Sequence, residues 1–203
     1  MNQLNRKVNC YSDGEGAFMY WGQELRRKLL GPLLILMTSL KIRASHVTLG
    51  SLLFGLAFCP LYLMGFEAWA FAALVLHVAL DGLDGPLARH AGTASSRGSF
   101  TDTMADQVVV TATIIAMIQA GSAGIWVGGL YAFLYTMVVV FAMVRNALEE
   151  PYSWLFRPRF LVFVWFAIET YWWSNTLNIV LWLAVALLAL KTLTGFVSIR
   201  KKI

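Results

Sequence analysis

Six apolar runs follow one another between Ser45 and Ile199, most of them close to the roughly 20 residues that cross the hydrocarbon core of a bilayer. They are Ser45–Met64, Ala68–Arg89, Gly98–Ala120, Ile125–Ala147, a shorter Arg159–Trp173, and Thr176–Ile199. In lipid every backbone N–H and C=O has to be satisfied within the protein, so runs of this length fold as helices packed against one another. Charged residues make up only 13% of the chain, about half of what a soluble domain carries. The expected fold is all-α: a polytopic, six-transmembrane-helix bundle. Short turns bearing Gly, Ser or Asn (65–67, 121–124 and 174–175) join helices of opposite direction.

Two regions precede or make up this bundle. Residues 1–40 read as a polar tail (1–17) followed by an N-terminal interfacial amphipathic helix (18–40), and residues 41–203 as the membrane domain. In the helix, Phe18, Trp21, Leu25 and Leu29 recur at three- and four-residue spacing beside the basic band Arg26, Arg27 and Lys28, and Pro32 kinks or divides it. The alternative is a partial membrane segment with a basic flank. The polar first 17 residues and the lack of a small-residue cleavage site give no expectation of a secretory leader. Cys10 and Cys59 have no metal-ligand spacing and are not expected to pair.

The basic residues are distributed unevenly between the two ends of the bundle. Arg6, Lys7, Arg26 to Lys28, Lys41, Arg43, Arg89, Arg97, Arg145, Arg157, Arg159 and Arg200 to Lys202 collect at one end, whereas Glu67 and Glu169 lie near the other. By the positive-inside rule both termini and the basic end face the cytoplasm. Such a band suits a lipid surface, and no nucleic-acid partner is expected.

Four of the chain's five aspartates fall in one 26-residue stretch that runs into these apolar helices. It reads Asp81-x-x-Asp84-Gly85-x-x-Ala88-Arg89, then eight residues, then Gly98-x-x-x-Asp102-x-x-x-Asp106. Spacing of i, i+3 in the first pair and i, i+4 in the second puts each pair on one helix face. A short connection between the two helices lets the pairs converge. Unpaired carboxylates in apolar surroundings are costly, and two hard divalent cations, Mg²⁺ or Mn²⁺, would neutralise four of them. Two such ions a few ångströms apart are a recurring device in phosphoryl displacement. Gly85, Ala88 and Gly98 keep the facing surfaces narrow, and Arg89 offers a fork of donors to a phosphate. A lone aspartate could be a helix-packing residue, and the small residues mere contacts; the whole spaced set favours a metal-dependent diphosphate pocket at the lipid–water boundary.

With these residues in place, the stretch Asp81–Asp106 resembles the signature of the CDP-alcohol phosphatidyltransferase family. The resemblance extends over about residues 41–200. It implies attack of an alcohol hydroxyl on the β-phosphate of a CDP-linked lipid, usually CDP-diacylglycerol, with release of CMP. It further implies that Asp81, Asp84, Asp102 and Asp106 bind two divalent ions, and that Asp106 is also the general base. Thr48, Gly85, Ala88, Arg89, Ser95 and Gly98 would belong to the CDP-lipid site, and the protein would be a homodimer. The opening Ser45-His46-Val47-Thr48 departs from the family's usual Pro-Asn or Pro-Asp, leaving Thr48 as the residue carried over.

The acceptor is read from fewer residues. Arg145, Arg157 and Arg159 could hold a phosphorylated polyol such as glycerol 3-phosphate or inositol phosphate; the positive-inside rule alone would also put arginines there. Gln107 stands where many members carry Lys or Arg, which favours a non-phosphorylated alcohol or a lipid acceptor. His77, one turn before Asp81, reads as a helix-packing histidine or a support for the carboxylates, and Lys191 as an intrabundle or snorkelling lysine. Another class of function, a divalent-cation transporter, would need ionisable residues continuing across the bundle; only Glu67, Glu169 and Lys191 lie beyond the acidic end.

Overall fold

The structure, a computed structural model, describes residues 30–149, 152, 158–173 and 175–202. They form helices α1 (Leu30–Ser39), α2 (Ala44–Leu63), α3 (Glu67–His90), α4 (Ser96–Gln119), α5 (Ile125–Ala147), α6 (Pro158–Tyr171) and α7 (Leu177–Lys202). No strand occurs among the described residues. Among the described residues five helices, α2 to α5 and α7, are long and apolar enough to cross a membrane.

The sixth expected span is the point of difference. It begins and ends nearly where its apolar pattern does, but α6 has 14 residues, about 21 Å at 1.5 Å per residue against the ~30 Å of a bilayer core. The described residues therefore form a multi-pass helical bundle with five helices of spanning length and a shorter α6. The anchor positions Phe18, Trp21, Leu25 and Leu29, with the basic band Arg26 to Lys28, lie outside the described residues. Of that segment α1 is described. It lays Leu34 on Val47 of α2 and Leu87 of α3, and turns Ile35 and Leu36 outward.

The turns follow from their residues. Gly65 (φ 81°) and Gly121 (φ 80°) take the left-handed conformation that ends α2 and α4, so successive helices double back. α2 packs on α3 and α4, α5 on α4 and α7, and α6 touches α3 and α7. The core runs through Phe58, Leu74, Val109, Ile114, Tyr131, Phe166, Leu181 and Leu188. Phe58 and Tyr62 both meet the edge of Phe166, at 5.3 and 4.9 Å between centroids, which fixes α6 against α2. Leu53, Phe133, Ile179 and Leu183 point outward, the apolar exterior that lipid requires. Glu169 of α6 accepts hydrogen bonds from the backbone N–H groups of Thr176 (2.7 Å) and Leu177. It thereby caps the otherwise unpaired start of α7 with a negative charge.

α2 and α4 come close because Gly55 faces Val109. A Cβ on Gly55 would lie 2.5 Å from a Val109 methyl carbon. Val109 is one helical turn beyond Asp106, so this contact sets how deeply α2 seats beside the acidic face of α4.

Candidate active site

α3 brings Asp81 and Asp84 towards its C-terminal end, and α4 brings Asp102 and Asp106 into its first half. The connection between them is five residues long, 91–95, so the two acidic faces lie at the same end of the bundle. Ligand oxygens of Asp81, Asp102 and Asp106 all lie within 4.8 Å of one another. The side chains of Asp81 and Asp106 are only 12% and 14% exposed. Asp84 is buried beside this trio. It accepts a 2.7 Å hydrogen bond from the Thr48 hydroxyl of α2, and its carboxyl abuts that of Asp102.

Arg159, near the start of α6, enters the same cluster. Its guanidinium donates through Nη2 to Asp81 Oδ2 at 2.7 Å and pairs through Nη1 with Asp106 Oδ2. The side chain is 1% exposed, and its Cζ lies 4.7 Å from the centre of the Phe160 ring. Arg159 was expected to face an acceptor; here it is a counter-ion of the carboxylates. Charge balance was the one signal in the sequence that could have suggested this, since four acids in apolar helices call for a cation.

The other expected residues separate into groups. Arg89, on an exposed helix end, folds back so that a Cβ on Gly85 would meet its Nη1 at 3.4 Å. Gly85 and Arg89 thus form one surface on α3. Ala88, on the same turn, is half-buried. Ser95 is the N-cap of α4, its Oγ accepting from the Gly98 N–H at 3.1 Å. Both are exposed, and the Ser95 hydroxyl hydrogen remains available to another acceptor.

Arg145 does not converge on the carboxylates with Arg159. Its guanidinium lies over the ring of Tyr152, 4.2 Å from the centroid. Tyr152 fills the notch left by Gly195 on α7 and donates to the Lys191 carbonyl at 3.1 Å. Burial pushes the Tyr152 phenol above its ordinary range, keeping it a donor. The Lys191 ammonium also approaches this ring, at 5.5 Å. Arg157 lies outside the described residues.

Two side chains tie the acidic segments to other helices, and one of them, His77, does so in the helix-packing role expected of it. Gln107 donates to Thr136 Oγ1 of α5 at 2.6 Å and to Thr111 at 3.3 Å, tying the residue after Asp106 to the next helix. His77, 1% exposed, shares a 2.8 Å hydrogen bond with Ser51 Oγ, and Ser51 donates to the His77 carbonyl at 3.0 Å. This joins α2 to α3 one turn from Asp81, which is a packing role.

The CDP-alcohol phosphatidyltransferase family model matches residues 41–190, close to three-quarters of the chain. The chain belongs to that family. No curated protein and no solved structure matches it. The family transfers a phosphatidyl-type group from a CDP-alcohol to an acceptor and depends on divalent cations. The residues present fit such an ion. Three carboxylates from two helices, all hard oxygen donors, are gathered within 4.8 Å in a half-buried position.

Proposed function

We propose that this family member is a phospholipid synthase that transfers the phosphatidyl group of CDP-diacylglycerol to an alcohol and releases CMP. The observation that carries the reading is the oxygen set of Asp81, Asp102 and Asp106 in a chain matched by the family over residues 41–190. Asp81, Asp84, Asp102 and Asp106 would hold two Mg²⁺ or Mn²⁺ ions. Bound there, the ions supply neutralising charge for the diphosphate and for the oxygen that departs with CMP.

The chain's own groups account for the rest. Arg89, lying over Gly85, holds the diphosphate by its donor fork. Ser95 and Gly98, at the exposed start of α4, and Ala88 complete the nucleotide side. Thr48 fixes the orientation of Asp84 through its 2.7 Å bond. Asp106 takes the proton of the acceptor hydroxyl as the new P–O bond forms and the bond to CMP breaks. The acyl chains remain in lipid while the headgroup reaches the acidic end of the bundle, at the cytoplasmic face, in a homodimer.

The acceptor in this reading is a phosphorylated polyol, glycerol 3-phosphate or inositol phosphate, with Arg159 as the phosphate contact because it already lies against Asp106. Arg145 and Arg157 are weaker assignments, Arg145 because it is engaged with Tyr152. One observation favours a second acceptor class: the carboxamide of Gln107 adds no positive charge beside Asp106 and is bonded to Thr136. A neutral alcohol or a lipid would suit that side.

The test is a CMP-release assay on purified protein with CDP-diacylglycerol, Mg²⁺ or Mn²⁺, and a panel of phosphorylated polyols, neutral alcohols and phosphatidyl lipids. Release stimulated most by a phosphorylated polyol is the expected outcome. Release with none of them, together with cation uptake into vesicles lacking CDP-lipid, would replace the reading with cation transport.

A further inference from the structure

We propose that Arg159 is an internal counter-ion exchanged for the divalent cations: cation binding to Asp81 and Asp106 frees its guanidinium, which then receives the acceptor's phosphate. This rests on the phosphatidyl-transfer reading with a phosphorylated acceptor. It adds an order to that reaction, cation first and acceptor second.

The argument starts from shared atoms. The guanidinium donates to one oxygen of Asp81 on α3 and lies in ion-pair contact with one oxygen of Asp106 on α4. Both belong to the oxygen set that fits a cation. A guanidinium is charged at every accessible pH, so it and a divalent cation drawing on the same carboxylates repel each other in a poorly screened place. The two therefore compete, and the linkage between them is negative and reciprocal.

One further observation favours release over a fixed pairing. Arg159 is almost fully buried, yet its Nε and Nη1 have no hydrogen-bond partner among the described residues. The pairing thus leaves buried donors unsatisfied, which an anion with several oxygens could repair. The residue stays on α6 throughout; only its side chain changes partners. Four carboxylates facing one guanidinium leave a formal excess of negative charge, so the site draws in cations despite the competitor.

The experiment uses the full chain in detergent, and Mn²⁺ binding is read by electron paramagnetic resonance. Arg159→Met is expected to bind Mn²⁺ tighter than wild type by roughly tenfold or more, and Arg159→Lys, a point charge without the fork, to fall between them. Unchanged or weaker Mn²⁺ binding in Arg159→Met overturns the proposal. Should that variant fail to fold, the wild-type protein decides. Phenylglyoxal modification of Arg159, mapped by mass spectrometry, is expected to be slow in chelator and faster with saturating Mn²⁺. Equal rates overturn the exchange. CMP release by the same wild-type preparation keeps the two questions apart. Release with metal-independent Arg159 reactivity removes only the exchange, whereas absence of release with every acceptor removes the underlying reaction.

Discussion

In the proposed reaction Asp106 is both cation ligand and base, and both roles need its charge. Asp106→Asn keeps the size of the side chain and its oxygen on α4 but cannot accept the acceptor's proton. Turnover should fall by roughly 10³-fold or more, while Arg159 retains its 2.7 Å bond to Asp81 and the protein stays folded. CMP release beside a melting curve checks both halves, and near-normal release would remove Asp106 as the base. Arg89 lies over Gly85 on an exposed helix end, so Arg89→Ala should raise the apparent KM for CDP-diacylglycerol about tenfold, in line with loss of a charge-assisted contact, and leave the KM for the acceptor nearly unchanged. Equal shifts in both would reassign it. At this scale the acidic pairs were legible because i, i+3 and i, i+4 spacings fix a helix face without any tertiary information. Arg159 was legible as a residue of interest but not in its place. It follows a long connection, and no short turn fixed the rotation of α6. The partners of Gln107 and His77, Thr136 and Ser51, lie on other helices, and a one-dimensional pattern does not show which faces meet.

Between elements, the seating of α2 on α4 depends on one missing side chain. Gly55→Ala would drive its Cβ into the stiff, β-branched Val109. The expected cost is about 1–3 kcal/mol of overpacking, read as a lower melting temperature in detergent, with a loss of activity because Asp106 is one turn away. Trimming the obstacle with Val109→Ala in the Gly55→Ala background should restore much of both. No recovery in the double variant would show that the two helices are not held by this contact. Helix boundaries were nearly all readable from apolar run lengths and turn glycines. The boundaries of α6 too fall close to those read, but its 14 residues fall short of the span expected of it. Apolar character reports burial, and α6 obtains that burial from Phe58 and Tyr62 as well as from lipid. The cap that Glu169 places on α7 was equally invisible, since it depends on how the turn between α6 and α7 folds.

For the molecule as a whole, the uneven charge is a statement about direction. Arg89 and His90 end α3, Arg145 ends α5, and Arg200 to Lys202 end α7, while Trp126 and Trp172 lie exposed towards the other end. With Cys10 and Cys59 replaced, a cysteine at Trp172 should react with a membrane-impermeant maleimide in intact cells, and one at Arg97 only after permeabilisation. The reverse pattern would invert the assignment. Both acidic pairs lie within about 15 Å of the same helix ends, at 1.5 Å per residue. In the proposed reaction, reacting groups nearer that end of the bundle than the other would deliver every new lipid into one monolayer. That monolayer alone gains area with each turnover, so a membrane growing by this route bends or stalls unless something else carries molecules across to its opposite sheet.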